Sequence, residues 1–388
     1  MATAVAPPKS DLSLTDEQQD FVRAIRDFCA REFPEDRLKE LTDGYTDLQS
    51  DEVARQMAEL GWYGLQIPEE YGGSGGSFFD ATLFLEETAR GRAPIGAYGV
   101  TLIVVGAINR FGTEEQKREL LGSVARGGTL AIAMSEPDSG SDVASLKTAA
   151  RREDGEWVLD GAKMWCSYAH KASQVLIVCR SERTDSPHEG LSMILVPRGA
   201  DGFTITPIPT LGGEETNELH LDGVRVPEDA LLGTAGGGWM QLMAGLNYER
   251  VILAATALGL AQRTFDDALA YAKERRQFGR PIGGFQAIQH KFADLATDLA
   301  QVRLLVRWVA QLTDADPGGM LPQEASMAKL AATELAKRTA LEGMQIMGGY
   351  GYASEYPMER YLRAAVVTTI YGGTSEIQKN IIAKTLGL

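Results

Sequence analysis

Phe21, Ile25, Phe28 and Phe33 recur at helical spacing behind Thr15, and Thr15 with Gln18 three residues on reads as a capping box, so a first helix is predicted there. Helical patterning continues to about residue 126, broken by the turn-rich stretch PEEYGGSGG at 68–76. The texture then changes. EWVLDG, QVLIVCR, LSMILVP, FTITPI and ELHLDGVRVP are short apolar or alternating runs separated by Gly, Pro, Asp and Ser, which predicts strands over about 130–232 in one small antiparallel β-domain. From Gly238 the 3.6-residue period returns, and Ile288, Phe292, Leu295, Leu299, Val302, Val306 and Val309 mark one face of a long helix.

Long helices are predicted over about 238–276, 284–313 and 323–347, with shorter ones near 356–368 and 375–388. Short connections between long helices imply an antiparallel bundle. The expected fold is α+β and multidomain: an N-terminal all-α domain (1–128), a middle antiparallel β-domain (129–237) and a C-terminal antiparallel helix bundle (238–388). Internal repeats and low-complexity tracts are absent.

Composition narrows the chemistry. A chain of 388 residues with 44 % hydrophobic and 23 % charged residues can bury a large core, as a soluble globular protein does. The formal charge of −15 repels a phosphate backbone, so nucleic-acid binding is not expected. The longest apolar run, 99–108, is too short to span a bilayer, and MATAVAPPKS lacks the features of a signal peptide, which makes a cytoplasmic protein the expectation. Cys29, Cys166 and Cys179 show no CxxC spacing, and the four histidines never fall at ligand intervals, so neither a disulfide framework nor a metal site is expected. Redox chemistry on this chain therefore needs an organic cofactor.

Five stretches concentrate glycine with polar or aromatic groups: AMSEPDSGSD (133–142), GAKMWCSYA (161–169), KERRQFG (273–279), QIMGGYGY (345–352) and IYGGTSEIQKN (370–380). Each has an ordinary structural reading. The first is a polar turn, Trp165 in the second is a core residue, and the glycine pair after a helix is a C-cap. Each also has a chemical one, because paired glycines let backbone N–H groups approach an anion or a carbonyl oxygen, and the Arg275–Arg276 pair suits a pyrophosphate.

In their order along the chain these stretches resemble the acyl-CoA dehydrogenase family. The resemblance runs from about Leu14 onward and is carried by PEEYGG, AMSEPDSGSD, the Lys-x-Trp segment Lys163–Trp165, the RxxFG turn Arg275–Gly279, Q-x-x-GGYGY and the closing GGTSE. It implies a flavoprotein that binds FAD and oxidises an acyl-CoA thioester to its α,β-enoyl product. Position by position, it implies that Ile132, Met134, Ser135, Gly140, Ser141, Trp165 and Ser167 line the flavin. Arg275, Phe278, Gln286, Gln345, Gly348, Gly349, Thr374 and Glu376 are implied for the ADP half, some from a neighbouring subunit, with Ser141, Asn247, Arg250 and Gly373 toward the substrate. A homotetramer and an electron-transfer flavoprotein as acceptor are further implications.

The resemblance also locates a departure. Many members carry the α-proton-removing glutamate just before Gly-Thr-Ser, where this chain has Gly372. A subgroup resembling the isovaleryl-CoA and long-chain enzymes places its base instead on the helix that opens the bundle, in a Leu-x-x-Glu-Arg context. Here that context is GLNYERVILA, and Glu249 is the expected base, with Gly372 left as an N–H donor to the developing enolate oxygen. In isolation Glu249–Arg250 reads as a solvated dipeptide, but Leu246, Val251, Ile252 and Leu253 surround it. Ser135 and Ser167 stand for threonines common in the family, and Cys166 for an isoleucine. The alternatives are an acyl-carrier-protein-linked dehydrogenase or an oxidase on the same fold, or a non-catalytic subunit of a mixed oligomer.

Overall fold

The computed structural model describes residues 13–388. In chain order, helices α1 (Asp16–Glu32), α2 (Glu35–Leu41), α3 (Asp51–Glu59), α4 (Phe78–Arg90), α5 (Ala97–Phe111), α6 (Glu114–Gln116) and α7 (Gly122–Ala125) precede the strands. These are β1 (Leu130–Ala133), β2 (Ala149–Glu153), β3 (Glu156–Ser167), β4 (Gln174–Arg180), β5 (Leu191–Pro197), β6 (Phe203–Pro207), β7 (Thr216–Pro227) and β8 (Leu231–Leu232). Then follow α8 (Gly238–Glu274), the short strands β9 (Arg276–Gln277) and β10 (Arg280–Pro281), α9 (Gln286–Ala315), α10 (Pro322–Met347), α11 (Gly349–Tyr352), α12 (Met358–Thr368) and α13 (Ser375–Thr385).

Two compact units form, and they cut across the linear order. One holds 13–34, Phe78–Ala93 and Arg250–Leu388; the other holds Glu35–Ser77 and Pro94–Glu249. Helices α1 and α4 thus group with the C-terminal helices, while α2, α3 and α5 group with the sheet.

In the sheet unit the strand order is β6-β7-β3-β2-β4-β5-β8, with β1 beside β4. Most pairs are antiparallel, as expected, but β1 pairs with β4 in parallel over Leu130↔Gln174 to Ala133↔Ile177, and β2 meets β4 in parallel at Ala149↔Arg180. The position of β4 explains its unbroken apolar run. Val175, Ile177 and Cys179 pack with Trp157, Ile194 and Val226 on one face, while Leu176 and Val178 pack with Val104, Ile108 and Leu121 on the other. A strand covered on both faces gains from every side chain, roughly 1.5–3 kcal/mol for each large aliphatic one.

In the helical unit the capping box forms as predicted, Thr15 and Gln18 exchanging bonds of 3.2 Å each way. On α9 the stripe Leu295, Leu299, Val302, Val306 and Val309 is buried, with Ile288 and Phe292 half-buried. Helix α4 is buried continuously from Phe78 to Leu85, except at Asp80, and its start is capped by the Asp314 carboxylate, which accepts the Phe78 and Phe79 N–H groups at 2.7 and 2.9 Å. Glu86 and Glu87 on the same helix are buried with partners: Arg303 Nε at 2.8 Å from Glu86, and Arg26 on Glu87.

Candidate functional site

Strand β3 slips register against β7 between Lys163 and Cys166, and this bulge re-aims the side chains at its end. Lys163 goes fully inward. Trp165 is left 55 % exposed on a backbone with φ +63°, a left-handed conformation that non-glycine residues seldom adopt. The turn ahead of β2 is laced to this bulge. Met164 N–H donates to the Ser135 carbonyl at 2.9 Å, Lys163 Nζ to the Met134 carbonyl at 2.9 Å and to Glu136 Oε1 at 2.8 Å, and the Cys166 thiol to the Ile132 carbonyl at 3.2 Å.

Glu136 completes the lacing, its carboxylate accepting the N–H groups of Lys147 at 2.6 Å and Thr148 at 2.8 Å. Burial pushes the Glu136 carboxyl up, but the Lys163 ammonium and these bonds outweigh it and hold the group below the usual carboxylate range. Neither Lys163 nor Glu136 was singled out from sequence as a site residue. The available signal was a lysine at an inward position of β3, among apolar side chains such as Trp157, Leu159 and Cys166.

The result is a small surface on which the hydroxyls of Ser135 and Ser167, each half-buried, make no hydrogen bond among the described residues. Gly140 and Ser141 lie exposed on the adjoining turn, and a Cβ placed on Gly140 would touch nothing within 4 Å. An exposed indole held on strained backbone, flanked by two unengaged hydroxyls, fits a flat heterocycle with hydrogen-bonding edges such as a flavin ring. The polar-turn reading of AMSEPDSGSD is correct as geometry, and the turn is fixed by a buried ion pair.

The helical unit presents the other predicted residues at helix ends. Strands β9 and β10 form a hairpin whose two central residues, Phe278 at φ +50° and Gly279 at φ +79°, both have left-handed backbone, and Phe278 is 93 % exposed. The Arg275 guanidinium lies 5.2 Å from the Tyr350 ring. Gly348, at φ +60°, caps α10 through a 2.9 Å bond to the Met344 carbonyl, so the C-cap reading holds. A Cβ on Gly348 or Gly349 would meet nothing within 4 Å, and Gln286 and Gln345 are exposed. Bare glycine backbone beside an arginine and an upright aromatic ring fits a nucleotide diphosphate half.

On α8, Asn247, Glu249 and Arg250 are buried at 7, 5 and 8 % exposure, so the solvated-dipeptide reading of Glu-Arg is overturned. Beside them, the Arg110 guanidinium stacks 4.7 Å over the Tyr248 ring and donates to the Ala244 carbonyl at 3.2 Å, which ties α5 to this part of α8.

Gly372 at φ +61° and Gly373 at φ +83° form the turn between α12 and α13, and Thr374 starts α13 by accepting the Ile377 N–H on its hydroxyl. Glu376, in the first turn of α13, has its carboxyl held below the usual range by its own N–H and the Thr374 hydroxyl. The N–H groups of Gly372, Gly373 and Thr374 donate no hydrogen bond among the described residues. Among the described residues no cluster of His, Cys, Asp or Glu could hold a metal, and no helix is long and apolar enough to cross a membrane.

Three family models match: acyl-CoA dehydrogenase N-terminal domain over residues 15–128, middle domain over 131–224 and C-terminal domain over 236–387. The chain is 39 % identical to an acyl-CoA dehydrogenase of Bacillus subtilis, covering 97 % of this chain and 99 % of that one. It is 35 % identical to the mitochondrial isovaleryl-CoA dehydrogenase of Solanum tuberosum, covering 97 % and 92 %. Its fold matches the structure of a glutaryl-CoA dehydrogenase from Mycobacterium smegmatis in complex with FADH2 at a TM-score of 0.86 and 29 % identity, covering 96 % and 95 %. With all three parts of the chain matched in order, and with surfaces suited to a flavin, the chain belongs to the acyl-CoA dehydrogenase family of flavin-dependent oxidoreductases.

Proposed function

We propose that this protein binds FAD and converts an acyl-CoA to its trans-2-enoyl-CoA, with Glu249 as the base and the N–H of Gly372 as a donor to the substrate carbonyl. The observation that carries this reading is the burial of Glu249 at 5 % exposure, while the turn that holds the base in many members has only Gly372, whose N–H has no acceptor among the described residues. A buried carboxylate held at the α-carbon can act as the general base that takes its weakly acidic proton. A backbone donor aimed at the enolate oxygen lowers the barrier by roughly 3–4 kcal/mol in comparable sites.

FAD, when bound, supplies the acceptor for the β-hydrogen and its electron pair. Ile132, Met134, Ser135, Gly140, Ser141, Trp165 and Ser167 would hold its ring, and Arg275, Phe278, Gln286, Gln345, Gly348, Gly349, Thr374 and Glu376 its ADP half. Ser141, Asn247, Arg250 and Gly373 would orient the thioester so that Glu249 meets the α-carbon. The exposure of Phe278 at 93 % and Tyr352 at 82 % supports a homotetramer in which a second copy covers the ADP residues. We assign an electron-transfer flavoprotein as acceptor and the cytoplasm as the location.

Anaerobic titration of the purified protein with short, branched, medium and long acyl-CoAs, followed at the visible flavin band, tests the reading. Bleaching by one class is expected and names the substrate group. A yellow protein that none of them bleaches would overturn it.

A further inference from the structure

Lys329 on α10 and Gln378 on α13 are polar side chains with 0 % exposure, and their donors converge on one short piece of backbone. Gln378 Nε2 donates to the Gly372 carbonyl at 3.0 Å and to the Gly373 carbonyl at 2.9 Å. Lys329 Nζ donates to the Gly373 carbonyl at 2.9 Å and to the Thr368 carbonyl, in the last turn of α12, at 2.8 Å. An apolar side chain would fill the Lys329 site without the cost of burying an amine. What the amine adds is a fixed direction for two carbonyls from different segments.

That direction has a consequence on the opposite side of the turn. All peptide bonds are trans, so each N–H points away from the carbonyl of its own peptide plane. With the Gly372 and Gly373 carbonyls drawn inward, the N–H groups of Gly373 and Thr374 face away from Gln378 and Lys329, and Gly372 N–H precedes them in the same turn. None has an acceptor among the described residues. The close fit also accounts for glycine at 373, where φ is +83° and a Cβ would stand 2.7 Å from Gln378 Nε2.

We infer that Lys329 and Gln378 are positioning residues that hold the Gly372–Gly373 turn with its N–H groups presented to the thioester carbonyl. This rests on the proposed role of that turn in the dehydrogenation. Such donors act strongly because they are fixed in advance and do not reorient as charge develops on the oxygen. Neither side chain meets the substrate; each acts through the backbone it holds.

The test uses the flavin-loaded wild type and the near-isosteric variants Lys329→Met and Gln378→Met. Flavin content, kcat and KM for the acyl-CoA that bleaches the wild type, and the isotope-edited infrared carbonyl stretch of the bound 1-13C-labelled enoyl-CoA product are measured. Both variants are expected to retain flavin and KM, to lose kcat by at least about tenfold, and to move the carbonyl stretch back toward the free thioester. A folded variant with unchanged kcat and unchanged stretch overturns the inference, and Gln378→Met decides it if Lys329→Met does not fold. A wild type that no acyl-CoA bleaches sinks the dehydrogenase reading itself, whereas a bleachable wild type with unaltered variants sinks only the positioning roles.

Discussion

Lys163 Nζ lies 2.8 Å from Glu136 Oε1, with both side chains sealed from solvent, and this pair joins the Ser135 turn to the Trp165 bulge. A buried pair broken on one side leaves a stranded charge. Lys163→Met should therefore destabilise the protein by about 3–5 kcal/mol, and the double variant Lys163→Met/Glu136→Gln by clearly less. Urea unfolding measures both, and flavin content should fall in the single variant.

The same pair sets an acid limit. Glu136 has a folded-state pKa below its unfolded value, near 4.3, so its contribution to stability is fully present above that value and is lost as pH falls through the folded pKa. The stability difference between wild type and Glu136→Gln should be constant from about pH 6 to 8 and shrink below about pH 4. A difference that stays constant down to pH 3 would show that the carboxylate is not held in this way.

Glu249→Gln should retain flavin and lose at least about a hundredfold in the rate of flavin reduction, the usual contribution of a positioned base. Adding Gly372→Glu should restore part of it, by returning a carboxylate to the turn, although a non-glycine residue at φ +61° costs about 1–2 kcal/mol. Stopped-flow absorbance at the flavin band reads both variants, and full activity in Glu249→Gln would remove the assignment.

A Cβ on Gly96 would stand 1.9 Å from the Tyr168 hydroxyl oxygen and 2.7 Å from its ring carbon Cζ. Tyr168 follows Ser167 directly and is itself held at φ +57°. Gly96→Ala should displace the ring, destabilise the fold by about 1–3 kcal/mol and lower flavin content, and Gly96→Ala/Tyr168→Leu should regain flavin. Flavin-to-protein absorbance ratios test the pair.

Burial pushes the thiols of Cys29, Cys166 and Cys179 each up to about 12. At pH 8 the native protein should react negligibly with a chromogenic disulfide reagent, and in denaturant all three thiols should react. Fast labelling of one thiol in the folded protein would contradict the packing around it.

The parts of this protein that follow local rules were legible from sequence alone. The Thr15–Gln18 box, the α9 stripe from Leu295 to Val309, the apolar run of β4 and the Thr374 start of α13 all arise from residues within a few positions of one another. Glycine at 348, 372 and 373 was readable for the same reason, since left-handed backbone excludes most other residues. Tertiary structure alone decided the parallel placement of β1 beside β4 and the grouping of α4 with α9 rather than with α5. It also decided that Lys163 would find Glu136, that Lys329 and Gln378 would converge on one turn, and that Glu249 would be buried rather than solvated. These partners come from separate elements, or depend on what covers a helix face, and a hydrogen bond across such a distance leaves no periodicity in the chain.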